Sequence, residues 1–424
     1  MRSTMLLIGV CLISFHSFEL IAQTGAELSL EQAIQVALKN NLNIQRAQKE
    51  IEAAAARMLQ AEAIPDPEIG ISWSEVPSDM SFSDAGEKSI GLVQPLEFPG
   101  KRKARGKVAQ QELSLSKENL ARAELLLKAE VKKAYYQAVL NQKLVFNMEK
   151  IIELLRQFQE MAIVRYQAQL VPFLEVLRAK IELAKANNQL HEIQRDANNS
   201  FTELNKILGR DLNTPMKLSD ELQYQPFVRS IVEILVDLQL SRPSLRMAEL
   251  SIAQHRAMLG LAKKSYLPNF SIGIFNQTLR EQPPFNANQF YGTSVAENWQ
   301  LDVGISIPLW FWKGPRGEAR EAQINLEIAK INKDAQSRNA IAAVTLAFQQ
   351  IKAAEAQVHT FEQSLLNDIE DELQSGISLY RHNQLEALNL IDIYRTYVDT
   401  QIEYCRTLYN FNIAVVELEI AGEQ

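Results

Sequence analysis

The sequence predicts a mainly α-helical protein with a small β part, and three observations lead there. Only 16 Gly and 14 Pro are spread over 424 residues, and Ala, Glu, Leu, Lys, Gln and Ile dominate the long stretches between them. Two short regions switch the apolar period from that of a helix to two, the period of a strand. The order helix, hairpin, long helix, helix then occurs twice. Its landmarks keep one offset: Pro95 and Pro308 are 213 residues apart, and Tyr166 and Tyr380 are 214 apart.

Composition narrows the class. At 46% hydrophobic and 22% charged residues the chain is neither collagen-like, disulfide-dense nor disordered. Its net charge of -7 provides no global drive toward nucleic acid. The two cysteines, Cys11 and Cys405, form no zinc-type spacing, and His191, His255, His359 and His382 are far apart in sequence.

The elements follow in order. Arg2 and the apolar run Met5–Ile13 read as a signal peptide over residues 1–22, cleaved after Ala22. Cys11 raises a lipoprotein alternative, but Val10 stands where a small residue is expected. The first repeat spans 23–209. Ser29 and Gln32 form a capping box, and a helix runs from there to about Ala63, before Pro65. Ile69, Ile71 and Trp73 alternate with small residues, as do Ile90, Leu92 and Leu96, so 66–98 reads as a strand–loop–strand unit. One helix is expected from Lys101 to Tyr166, about 100 Å long. A break at Ala168–Pro172 precedes a helix to Leu208, which Gly209 ends.

Residues 210–240, with Pro215 and Pro226, read as an irregular linker with little helix. The second repeat, 241–424, repeats the plan: a helix over 244–266, a hairpin over 269–311, a long helix from Gly317 to Tyr380, a break, and a last helix to Ala421. The hairpin loop carries Pro283 and Pro284, and its second strand runs through Ile307 and Leu309.

Two hairpins supply four strands, with large apolar side chains on one face and Gly, Ser, Gln and Asp on the other. Such a sheet packs on helices in a soluble domain or forms part of a membrane barrel. All four tryptophans, Trp73, Trp299, Trp310 and Trp312, lie in or at the edges of these strands. That placement matches an aromatic girdle, with ordinary core aromatics as the alternative. Four strands are too few to close a barrel, which takes ~8 or more, so the chain must assemble. A trimer supplies twelve.

Across about residues 28–421 the chain resembles the TolC family of outer-membrane factors, in particular its heavy-metal efflux branch typified by CzcC and CusC. The resemblance rests on Leu28–Ala33, on Gln94-Pro95-Leu96-Glu97-Phe98-Pro99-Gly100-Lys101-Arg102, and on the two break regions. It implies a homotrimer in the outer membrane of a Gram-negative bacterium, with a 12-stranded β-barrel and a long periplasmic α-helical barrel. The implied function is a passive exit duct for small substrates, metal cations among them. A periplasmic adaptor and an inner-membrane pump of the resistance–nodulation–division class are the implied partners, with outer-membrane lipid around the barrel.

The same resemblance assigns the breaks to adaptor-contacting tips. These would use Arg165, Tyr166, Leu170 and Val171 in the first repeat, and Tyr380, Arg381, Gln384 and Leu385 in the second. Gln169 and Asn383 stand where the family typically has Gly. Glu175, Asn389 and Asp392 align with the pore constriction, where carboxylates from three subunits would form an anionic ring. A surface pair of Glu175 with Arg178 is the plain alternative.

The basic run Lys101–Lys107 would lie just below the barrel, as a solvated turn or against lipid phosphates. Cys405 falls on the seam Val398, Ile402, Cys405, Tyr409 and reads as packing. His382, at the second break, is the one histidine placed where a threefold metal site is conceivable. No Walker loop or catalytic triad is present, and no catalytic activity, cofactor or resident metal is expected. A soluble periplasmic coiled-coil scaffold or adaptor also fits the helices but not the Trp-edged hairpins. A type I protein secretion duct would share the fold.

Overall fold

The computed structural model describes residues 27–281 and 294–422. The expected signal peptide with Cys11, and Pro283 and Pro284, lie outside the described residues.

Strand β1 (Glu27–Leu28) precedes α1 (Leu30–Asn40). The Ser29–Gln32 capping box is present in both directions. The single helix expected to Ala63 is two. Asn41 leaves the helical conformation and caps α2 (Leu42–Glu62), its side chain accepting from the Asn43 N–H at 2.8 Å. Then come β2 (Glu68–Ser74), a short 3-10 turn at Phe82–Asp84, and β3 (Glu87–Glu97). Helix α3 (Lys101–Gln167) runs unbroken for 67 residues, about 100 Å. Helix α4 (Phe173–Leu208) ends at Gly209, which is left-handed with φ 65°.

Strand β4 (Lys217–Leu218) pairs parallel with β1. The linker expectation for 210–240 needs correction, because α5 (Ile231–Ser241) lies largely within it. Ser230 and Glu233 build a second capping box, and Ile234 anchors α5 in a core with Val344 and Phe411. Helix α6 (Pro243–Ala262) continues as a 3-10 turn, Lys263–Tyr266. Strands β5 (Asn269–Glu281) and β6 (Ser294–Ser306) follow. The second strand stops before Ile307 and Leu309, contrary to the alternation read there. Pro308 has no N–H to give a ladder, and the chain turns instead, with the Lys313 N–H on the Trp310 carbonyl at 3.0 Å. Its counterpart Pro95 stays inside β3 because β2 ends opposite Val93 and leaves that side free. Helix α7 (Gly314–Thr360), a π-helical turn at Phe361–Leu365, α8 (Leu366–Arg381) and α9 (Ala387–Gly422) complete the chain.

The four long strands form one antiparallel sheet in the order β2–β3–β5–β6. The two hairpins join through β3 and β5, with Glu97 opposite Asn269 and Glu87 opposite Leu279. Below the sheet α2, α3, α6 and α7 pack side by side in that order. At the far end α3 and α4 pack with α8 and α9 around Met148, Ile152, Leu155, Phe158, Tyr380 and Tyr394. Between these ends Tyr135 ties the middle of the molecule. Its hydroxyl donates to the Leu28 carbonyl at 2.7 Å or to Asp220 at 2.8 Å, and Asp220 also accepts from the Leu30 N–H.

Candidate functional site

The sheet has two chemically distinct faces. Strand alternation and register put Ile69, Ile71, Leu92, Ile274, Leu301 and Val303 together on one face. These side chains are exposed, Val303 and Ile69 to 74%. On the other face Ser72 and Ser89 share a hydrogen bond at 2.7 Å, Gln277 donates to Gln300, and Gln300 donates to Asp302 at 2.6 Å. Phe275 lies flat on that polar face, over Gly70, Gly91 and Gly273. A Cβ on Gly273 would stand 2.8 Å from the ring, and one on Gly91 would overlap it.

All four tryptophans are exposed. Trp73, on the apolar face of β2, meets Phe82 edge-on at 5.7 Å near the loop end. Trp299 shares that face from β6, opposite Asn276. Trp310 and Trp312 lie beyond β6, at the helical end of the sheet.

The two helix breaks fold into the same turn. The Ala168 N–H donates to Val164, Gln169 to Tyr166 and Leu170 to Arg165; 214 residues on, His382 donates to Ser378, Asn383 to Tyr380 and Gln384 to Leu379. This is a Schellman motif, whose C′ residue must be left-handed. Gln169 and Asn383 occupy that position, with φ 57° and 61°. Gly209 closes α4 in the same way with the residue type that carries no strain there.

The turns are locked together by Arg165. It is buried, donates to the Tyr380 carbonyl at 3.1 Å and to the Asn383 side chain, and stacks on the Tyr380 ring at 4.0 Å. The Tyr380 hydroxyl donates to Glu175 at 3.2 Å. Burial pushes the Tyr380 phenol up to about 12, and Glu175 adds to the shift while Arg165 opposes it. Among the described residues Glu175 therefore has Tyr380 as its partner, and no ion pair joins it to Arg178.

The remaining tip residues divide by exposure. Tyr166, Leu170, Arg381 and Gln384 are exposed, and Val171 and Leu385 are half-buried. Tyr166 rests against Phe173 at 5.4 Å. His382 is exposed, with Nδ1 2.8 Å from the Ser378 carbonyl. Among the described residues no three His, Cys, Asp or Glu side chains cluster as a metal site.

Asn389 and Asp392 are exposed on the first turns of α9. Arg395 lies 3.4 Å from Asp392 and reaches Glu182 of α4 at 2.7 Å. Burial raises the Glu182 carboxyl, but hydrogen bonds from Arg395 and Lys185 outweigh it and hold the group below its ordinary range. Cys405 is a buried free thiol packed on Leu140 and Leu144, and burial pushes it up.

Sequence reasoning grouped Arg165 with adaptor contacts and missed its role as a bridge. One signal was available. Arg165 and Leu379 are repeat counterparts, so a charged residue stands on one side only of an otherwise duplicated turn. The Glu182–Arg395 pair spans 213 residues and left no local trace.

An exposed apolar sheet face with open edges, on a shaft of about 100 Å, defines a channel-type outer-membrane protein with a periplasmic helical extension. The sequence profile of the outer membrane efflux protein family matches residues 33–210 and 234–421. The chain belongs to that family, and it is an outer-membrane channel of tripartite efflux. It is 20% identical to the cobalt-zinc-cadmium resistance protein CzcC of Cupriavidus metallidurans, over 91% of this chain and 88% of that protein. It is 25% identical to the cation efflux system protein CusC of Escherichia coli K12, over 90% and 82% respectively. Among solved structures it superposes on CusC with a TM-score of 0.76 at 19% identity, covering 93% of this chain and 91% of that one. For the Campylobacter jejuni CmeC outer membrane channel the TM-score is 0.75 at 15% identity, covering 93% and 85%.

Proposed function

We propose that three copies close into one duct and pass small substrates, metal cations among them, from an adaptor and pump to the exterior without chemistry of their own. The observation that carries this is the four-stranded sheet with β2 and β6 as its edges. Edge strands with exposed apolar faces are unstable in water; pairing β6 of one copy with β2 of the next removes the open edges, and lipid covers the apolar face. Three copies bring twelve strands, within the range of membrane barrels. The row α2–α3–α6–α7 closes in the same rotation into a twelve-helix tube.

In that arrangement the Ser, Gln, Asp and Gly face of the sheet lines the pore and the apolar face meets lipid. The four tryptophans supply its two girdles. Glu175, Asn389 and Asp392 form the constriction. The tip turns, with exposed Tyr166, Leu170, Arg381 and Gln384, meet a periplasmic adaptor coupled to a pump of the resistance–nodulation–division class. Cation cargo is supported by the two relatives whose names specify cation efflux and cobalt-zinc-cadmium resistance.

The test is fractionation followed by reconstitution. The protein is expected in the outer membrane as a heat-labile trimer with single-channel conductance in planar bilayers. A soluble monomer without conductance overturns the duct. Disrupting its gene is expected to sensitise the host to cobalt, zinc or cadmium salts. Sensitivity to hydrophobic drugs alone overturns the cation cargo and leaves the duct standing.

A further inference from the structure

Just below the sheet, α3 and α6 flank a groove of about 650 Å³. Lys103 and Lys107 line it from α3, Arg256 from α6, and Lys264 from the 3-10 turn that follows. None of the four side chains forms an ion pair or hydrogen bond with another described residue. Its floor is open: Gly260 is exposed, and a Cβ there would touch nothing within 4 Å.

Lys101 and Arg105 of the basic run are used differently. Lys101 donates to the Leu267 carbonyl and the Asn269 side chain at 2.7 and 2.8 Å, and Arg105 pairs with Glu97 and donates to the Ala61 carbonyl at 3.2 Å. Glu97 and Asn269 belong to the polar face of the sheet. The edge of α3 that carries Lys101 and Arg105 therefore continues that face. Lys103 and Lys107 are rotated roughly 160–240° from Lys101 and Arg105 at 100° per residue, so the groove opens on the side of the apolar face.

Depth fits as well. Lys103 and Lys107 lie about 3 and 9 Å below the first residue of α3, while a headgroup layer is roughly 5–8 Å thick. Cations in the first turns of a helix oppose its macrodipole, so helix formation does not favour them there. An anion in the groove reverses that sign. The groove also lies between the two central helices of the row, away from the edges that meet other copies.

We propose that this groove binds the phosphate of an anionic phospholipid in the periplasmic leaflet of the outer membrane, one lipid per subunit. The assignment rests on the apolar face lying in that membrane. Each cation contributes about fivefold in affinity at a membrane surface.

The experiment uses the full chain, reconstituted with phosphatidylglycerol or phosphatidylcholine and examined by native mass spectrometry. Phosphatidylglycerol is expected to remain bound in preference to phosphatidylcholine, to fall about 25-fold in the K103Q/R256Q variant, and to resist millimolar inorganic phosphate. Equal retention of the two lipids by the native protein, or of phosphatidylglycerol by native protein and variant, overturns the proposal. Displacement by inorganic phosphate also overturns it and assigns a free-anion site. Should K103Q/R256Q not assemble, K107Q and a salt titration of the native protein decide, with retention falling in both if the proposal holds. Failure of the native protein to retain either lipid also overturns the proposal, whereas the membrane placement of the sheet stands or falls on the fractionation and conductance described above.

Discussion

Arg165 stacks its guanidinium 4.0 Å from the centre of the Tyr380 ring and hydrogen-bonds the carbonyl of the same residue. One side chain thereby satisfies a helix-end carbonyl and fixes the two tip turns relative to each other. Both residues are buried, so the contact is desolvated and worth more than a surface pair. Arg165→Ala is expected to lower unfolding stability by about 2–4 kcal/mol and to raise single-channel conductance. Arg165→Lys keeps the charge but not the planar fork, and should fall between. Native conductance and stability in Arg165→Ala would show that the turns are held by other contacts.

The left-handed turn residues make a second test. Gln169 bears a Cβ in a conformation that disfavours one by about 1–2 kcal/mol. Gln169→Gly should raise the unfolding midpoint, by about 0.5–1 kcal/mol after the greater freedom of Gly in the unfolded chain. Asn383→Gly should not, because Asn tolerates this conformation and its side chain accepts from Arg165. Equal effects at both positions would contradict the assignment.

The tip should respond to alkali through Tyr380. Its folded pKa is raised to about 12, against about 10 unfolded, so the folded state holds the proton longer. The associated stability is complete below about pH 10 and is lost as pH rises through about 12. Tyr394 and Tyr404, also raised to about 12 by burial, act in the same window. Thermal midpoints of native protein and Tyr380→Phe from pH 9 to 12 measure the difference. The native curve should fall more steeply.

Charge at the proposed constriction should set ion preference. Asp392 is exposed with Arg395 at 3.4 Å, whereas Glu175 is half-buried under the Tyr380 hydroxyl. Asp392→Asn should therefore reduce cation over anion permeability more than Glu175→Gln in reversal-potential measurements. Unchanged selectivity in both variants would remove the anionic ring.

In the sheet, a Cβ on Gly273 would stand 2.8 Å from the Phe275 ring and in no tight contact with backbone. Gly273→Ala should drive the ring off the wall into the pore side and lower conductance, and the double variant Gly273→Ala with Phe275→Ala should restore it. A single variant with native conductance would show that the ring moves elsewhere.

Much of the fold was legible because its signals are local. The Ser29 capping box, the Gly209 stop and the period-two alternation of Ile69, Ile71 and Trp73 each act within a few residues, and duplication made each visible twice. The α5 helix was missed because Pro215 and Pro226 dominated the reading, although Ser230 and Glu233 cap it. The end of β6 was missed because Ile307 and Leu309 keep alternating while Pro308 cannot pair.

The sequence by itself determined the duplicated plan, the length of the shaft and the two faces of the sheet, since each follows from periodicity along a single element. Only the tertiary structure decided which residues from the two halves meet. Arg165 meets Tyr380 across 215 residues and Glu182 meets Arg395 across 213, and the four cations of the groove come from facing helices of different repeats. Their contact depends on how the helices pack, and helix periodicity records only that a face is buried, not against which partner.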